Sequence, residues 1–135
     1  MRNARRLLVL APALAAALTF PMTPAHAGEW AHSTAADNSD CADPADGRFW
    51  PVGEKFTARD RCIDGDSGVL LVDIYPWENG NSHDRKVWAH RGSGDSETWN
   101  ASIPEGRPVA ILACTGQYSS KSWGGCDSTW RFGKA

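Results

Sequence analysis

Residues 68–75 read Gly-Val-Leu-Leu-Val-Asp-Ile-Tyr, an almost unbroken apolar run with the turn sequence DGDSG leading into it and Pro76 closing it. A run of this length, rich in β-branched groups and bounded by turn residues, is the signature of a strand buried in a core. Residues 107–115, Arg-Pro-Val-Ala-Ile-Leu-Ala-Cys-Thr, have the same character. These two segments are expected to be the central strands. Around them lie shorter segments of Val, Ile, Trp, Phe and Thr near 47–52, 55–61, 85–91, 97–103 and 127–133, separated by Gly, Pro, Asn and Asp. No stretch of a dozen residues in this part of the chain spaces its apolar groups at 3.6-residue intervals. The reading is therefore all-β: a small antiparallel β-sandwich or barrel built from residues 47–135.

The first 27 residues differ in kind. Arg2, Arg5 and Arg6 precede a 14-residue apolar run from Leu7 to Phe20, and Ala25-His26-Ala27 supplies small residues at a cleavage position. That arrangement is a secretory leader, too short for comfortable bilayer spanning. Three of the 14 Lys and Arg residues fall within it and none of the 16 acids, so residues 28–135 carry a net charge of −5. Glu29, Asp37, Asp40, Asp43 and Asp46 account for the excess. With no concentrated basic face, nucleic acid and anionic membrane are excluded as partners. Residues 28–46 are small, polar and acidic, with Trp30 the one large apolar group, and read as a flexible N-terminal arm. Such an arm calls for a basic, salt-sensitive surface on its partner.

All four cysteines, Cys41, Cys62, Cys114 and Cys126, lie beyond the leader. An even count in an exported, extracellular chain reads as two disulfides, for which three connectivities exist. Cys41–Cys62 and Cys114–Cys126 are preferred because each pair is close in sequence and brackets turn-rich residues. A structural zinc site is disfavoured by the lack of a C-x-x-C spacing.

Gly65-Asp66-Ser67-Gly68 matches the tetrapeptide around the nucleophile of chymotrypsin-like proteases. Such an enzyme needs a histidine base and a buried aspartate upstream, carried on two barrels. Upstream of Ser67, after the leader, only 39 residues and His32 are available. Ser67 is read instead as part of a tight turn entering a core strand, and the chain as a non-enzyme. Asp60, Asp64 and Asp66 suggest calcium, yet an EF-hand count from Asp64 puts Val69 at the sixth position and Tyr75 at the twelfth, where glycine and glutamate belong. No metal or other cofactor is expected. His83-Asp84 could form a local pair.

Seven tryptophans, at 30, 50, 77, 88, 99, 123 and 130, exceed what a core of this size needs. Trp50, Trp88 and Trp99 sit inside expected strands and are the natural core fillers. Trp30, Trp77, Trp123 and Trp130, with Arg131, are the candidate partner-binding residues, since exposed Trp and Arg dominate recognition hot spots.

Trp130-Arg131-Phe132 resembles the Trp-Arg-Tyr turn of the tendamistat-type α-amylase inhibitors, which are also disulfide-stapled β-sandwiches, although there the triplet lies within the first disulfide loop. The organisation as a whole, an exported domain of about a hundred residues with two disulfides, a β body and an N-terminal arm, resembles the small adaptor subunit of actinomycete umbrella toxin particles. That resemblance implies a connector between other secreted subunits and transfers no binding residue. The expected function is binding of another secreted protein as an adaptor. Inhibition of a secreted hydrolase is the alternative, and carbohydrate binding the third reading.

Overall fold

The computed structural model describes residues 28–38, 40–77 and 82–135. The expected leader, 1–27, lies outside the described residues. Among the described residues nine strands follow one another: β1 Ala31–Thr34, β2 Ala45–Trp50, β3 Lys55–Asp60, β4 Ser67–Ile74, β5 Arg85–Ala89, β6 Ser96–Asn100, β7 Pro108–Gln117, β8 Ser122–Gly124 and β9 Arg131–Lys134. They form two antiparallel sheets packed face to face, in the orders β1-β2-β3-β6 and β5-β4-β7-β8, with β9 beside β8 along β7. Both disulfides follow the preferred pairing, Cys41–Cys62 and Cys114–Cys126.

The quoted run is β4, and it pairs with β7 over its whole length, from Ser67 opposite Gly116 to Ile74 opposite Val109. Both strands are interior to their sheet. Alternate residues point to the middle of the sandwich, where Leu70, Val72, Val109, Ile111 and Ala113 meet Phe49, Phe56 and Ala58 of the facing sheet. Phe49 stacks on Phe56 and Phe56 on Trp99, at centroid distances of 4.7 and 5.3 Å. Burial of such side chains contributes about 1.5–3 kcal/mol each. Two glycines permit the close approach of the sheets: a Cβ on Gly47 would lie 2.1 Å from Leu70 Cδ1, and one on Gly68 would lie 2.6 Å from the Arg59 carbonyl oxygen. The second glycine of the protease-like tetrapeptide is thus accounted for by packing.

The N-terminal segment departs from expectation. Residues 31–34 are strand β1, paired with β2 from Ala31 opposite Phe49 to Thr34 opposite Asp46, where a flexible arm was expected. Ala31, Ser33 and Ala35 are buried. Their small side chains produce little hydrophobic signal, and the segment is held mainly by hydrogen bonds. Ser33 Oγ donates to Asp127 Oδ2 at 2.9 Å and accepts from the Ala113 N–H at 2.8 Å, tying the two sheets together. Just before β1, the backbone of Glu29 exchanges both hydrogen bonds with Lys134, closing the sandwich along the β1 and β9 edge. On the opposite side β5 and β6 remain edge strands.

Candidate binding face

Strand alternation determines the outer face of the first sheet. In β2, Phe49 points inward, so its neighbours Arg48 and Trp50 point out. One step beyond the pair Ala31–Phe49, Trp30 comes opposite Trp50, which faces Lys55 of β3, which faces Asn100 of β6. The next row is His32, Arg48, Thr57 and Thr98. It is braced by a 2.9 Å hydrogen bond between the two threonine hydroxyls. The result is a polar sheet surface on which Arg48 and Lys55 are the charged members of these two rows, with two indoles at one end.

Trp30 is 65% exposed and Trp50 47%, and Val52 beside them is 87% exposed. With Pro51 and Lys55 these three line a shallow cavity of about 480 Å³. The two indoles also line an adjoining cavity of about 350 Å³ with His32 and Arg48. Neither lining includes a carboxylate. Three of the five acids of residues 28–46 are engaged elsewhere: Asp37 accepts the Asp43 N–H, and Asp43 and Asp46 both face Arg61. A basic partner surface is expected from the composition of the segment, whereas the lining of these two cavities is neutral or cationic.

Of the expected partner-binding residues, Trp30 joins this face. Trp77 is 42% exposed and lies on the other sheet, edge-on to Tyr75 and to Phe132 at 5.7 and 6.0 Å. Trp123 and Trp130 are half-buried against a second apolar cluster of Val69, Leu71, Trp88 and Cys114 on the outer face of the second sheet. Arg131 donates from Nε and Nη2 to the two oxygens of Asp127, at 3.0 and 3.2 Å. Trp50 is not a core residue, and Trp88 is buried under the outer cluster rather than in the sandwich interior. Trp50, Pro51, Val52, Arg48 and Lys55 are the members that sequence reasoning missed. The signal was available, because Phe49 and Trp50 are adjacent in one strand and cannot both point inward.

Two carboxylates near these elements have opposite environments. Burial raises the Asp127 pKa, but bonds from Arg131, Ser33 and the Thr34 and Thr129 amides outweigh that and bring it down to about 2. Asp60, 2% exposed at the inward end of β3, is pushed up by burial. The Cys62 amide opposes that rise, and the nearby charges of Asp64, Asp95 and Asp66 add to it. Its Oδ1 accepts the Cys62 N–H and its Oδ2 has no partner among the described residues. The neighbouring acids are already occupied: Asp64 accepts from Asn38 and from the Asp66 amide, Asp66 from Gln117, and Asp95 from Arg91. Among the described residues no group of three or more His, Cys, Asp or Glu side chains is placed to hold a metal ion.

Ser67 is buried at the first position of β4, opposite Gly116. His83 pairs through Nδ1 with Asp73 Oδ1 at 3.0 Å, not with Asp84, which accepts the Ile74 amide instead. The face around Trp30 and Trp50 offers apolar area and positive charge. Comparison with protein-family models, curated proteins and solved structures returned no match.

Proposed function

We propose that this chain is an exported, non-enzymatic binding domain that attaches to another secreted protein through the Trp30–Trp50 face. One observation carries the reading: two indoles with Pro51 and Val52 lie exposed together on a sheet surface whose neighbours are cationic. Exposed apolar patches of this kind mark interaction sites, and aromatic groups dominate their energetics. The fitting partner presents an apolar protrusion flanked by carboxylates. Two disulfides accord with an oxidising, extracellular compartment.

A connector needs two contact surfaces, and a second exposed aromatic group, Tyr75, Trp77 and Phe132, lies on the other sheet. This favours the adaptor over the hydrolase inhibitor. The inhibitor reading also loses its main support, because Arg131 is held against Asp127 and Trp130 packs under the His83 ring at 5.6 Å.

The test is co-purification from culture supernatant with tagged wild-type chain and with the Trp30→Ala/Trp50→Ala variant, scored by quantitative mass spectrometry. The wild type should retain a secreted protein that the double variant loses by about tenfold or more. Equal retention would rule this face out as the attachment surface.

A further inference from the structure

We propose that the groove between the edge strands β5 and β6 is a binding site for an acidic oligosaccharide. The groove encloses about 380 Å³, within the ~300–1,000 Å³ range of small-molecule sites. It shares no residue with the two cavities at Trp30 and Trp50, and its lining combines two chemistries. The first is aromatic: Trp88 and Trp99 form part of the wall, and Tyr118 stands at the rim. Tyr118 is backed by the stacked His90 ring, whose Nδ1 lies 3.3 Å from the Trp88 carbonyl oxygen. The opposite face of Tyr118 lies under the Lys121 ammonium, with Nζ 2.9 Å from the ring centre.

The second chemistry is cationic. Arg85 Cζ lies 5.5 Å from the centre of the Trp99 ring and Lys121 Nζ 5.6 Å from that of Trp88, while Lys86 Nζ lies 4.8 Å from that of Trp123. Among the described residues none of these three cations makes an ion pair with a carboxylate. They rest on rings, which places their charge without neutralising it. The one acid of the lining, Glu97, faces Arg91 at 3.6 Å. The groove therefore pairs aromatic rings with unneutralised positive charge, and a ligand whose anions draw the cations aside uncovers ring faces on which to stack. A pyranose ring offers C–H faces to aromatic side chains, and a uronate or sulfated sugar adds anions at regular intervals along the same molecule. A neutral glycan would leave the cations unused, and a phosphate or sulfate ion alone would leave the rings unused.

The test is calorimetric titration of the full chain with trigalacturonate and a heparin-derived tetrasaccharide, with cellotriose and a hexaglutamate peptide as comparison ligands. Both acidic sugars should bind saturably and lose affinity as salt rises, and the Trp88 and Trp99 indole N–H resonances should shift. Lys86→Glu/Lys121→Glu and, separately, Tyr118→Ala should each weaken binding by roughly tenfold or more. Trp30→Ala/Trp50→Ala should leave it unchanged, which separates this site from the protein-binding face. Lack of saturable binding by either acidic sugar, equal binding of cellotriose, or indifference to the double charge reversal overturns the proposal. Tighter binding of hexaglutamate than of both sugars overturns it too, and assigns the groove to an acidic peptide. The resonance shifts in the wild type give a readout that does not depend on any variant folding.

Discussion

The two sheets bear tryptophan on their outer faces in contrasting ways. On the second sheet Val69, Leu71 and Trp88 are roofed by Trp123 and Trp130, which come from the segment after β7 that Cys114–Cys126 ties down. On the first sheet Trp30 and Trp50 have no such roof and lie open beside Val52. One face is completed by the chain itself, through a disulfide-closed loop. The other has the same kind of side chain and no covering segment among the described residues, which is why it reads as an attachment surface and not as an unfinished core.

That contrast can be broken most directly by truncating each face. Replacing Cys114 and Cys126 with alanine should cost about 2–5 kcal/mol of stability, since the roof then has to be ordered without its tether. Trp30→Ala/Trp50→Ala should alter stability by no more than about 0.5 kcal/mol, as expected of surface positions. Urea unfolding of both variants makes the comparison. Similar losses would mean that the open indoles are structural after all.

The roof is also fastened to the first sheet, through Asp127. Its carboxylate accepts from Arg131, from Ser33 and from the Thr34 amide, so Asp127→Asn should cost about 1–3 kcal/mol at neutral pH. The folded pKa, about 2, lies below the ordinary aspartate value of 3.8. A depressed acid stabilises fully above its unfolded pKa and loses that contribution as pH falls through the folded one. The wild type should therefore lose stability progressively below pH 3.8, and Asp127→Asn should flatten this part of the profile. A variant with the wild-type acid profile would show that the link between roof and β1 carries no weight.

The contrast was only partly legible from residues alone. β4 and β7 could be placed because their apolar runs are long, and the disulfides because each pair is local. β1 is hidden because Ala31, Ser33 and Ala35 bury small groups, so that hydrogen bonds from Ser33 to Asp127 and from the Ala113 amide to Ser33, distant in sequence, do what apolar bulk does elsewhere. β8 is three residues long and ends in glycine, too short for any alternation to register. Hydrophobicity places Trp50 inward, whereas its parity with Arg48 places it outward. Which tryptophans are roofed depends on how residues 118–130 fold back over the sheet, and no local pattern encodes that return.

A gentler sharpening concerns the charge of the open face. Arg48 stands next to both indoles, and reversing it should weaken attachment to an acidic partner by roughly fivefold, or about 1 kcal/mol. The loss should shrink as salt is raised, because an exposed charge acts through screened solvent. Arg48→Glu measured by surface plasmon resonance at low and high salt tests this. Stronger binding by the variant would reverse the predicted sign of the partner surface.

The smallest effect expected is at Asp60, on the inner side of the open sheet, and it runs opposite to that of Asp127. Here burial and neighbouring acids raise the pKa, and one carboxylate oxygen is unpartnered. With the folded value above the unfolded one, the native state holds the proton more tightly. Stability then falls as pH rises from the ordinary aspartate value of 3.8 through the raised folded value. Ionised Asp60 is thus a cost at neutral pH, and Asp60→Asn keeps the Oδ1 that accepts the Cys62 amide while removing the charge. The variant should be more stable than wild type at pH 7 by no more than about 1 kcal/mol, with the gain vanishing as the pH is lowered past 3.8. Thermal melts of the two proteins across that range provide the measurement. A loss of stability at pH 7 would show that the ionised carboxylate has a stabilising partner, and the open sheet would then have a polar anchor comparable to the one Asp127 gives the roofed side.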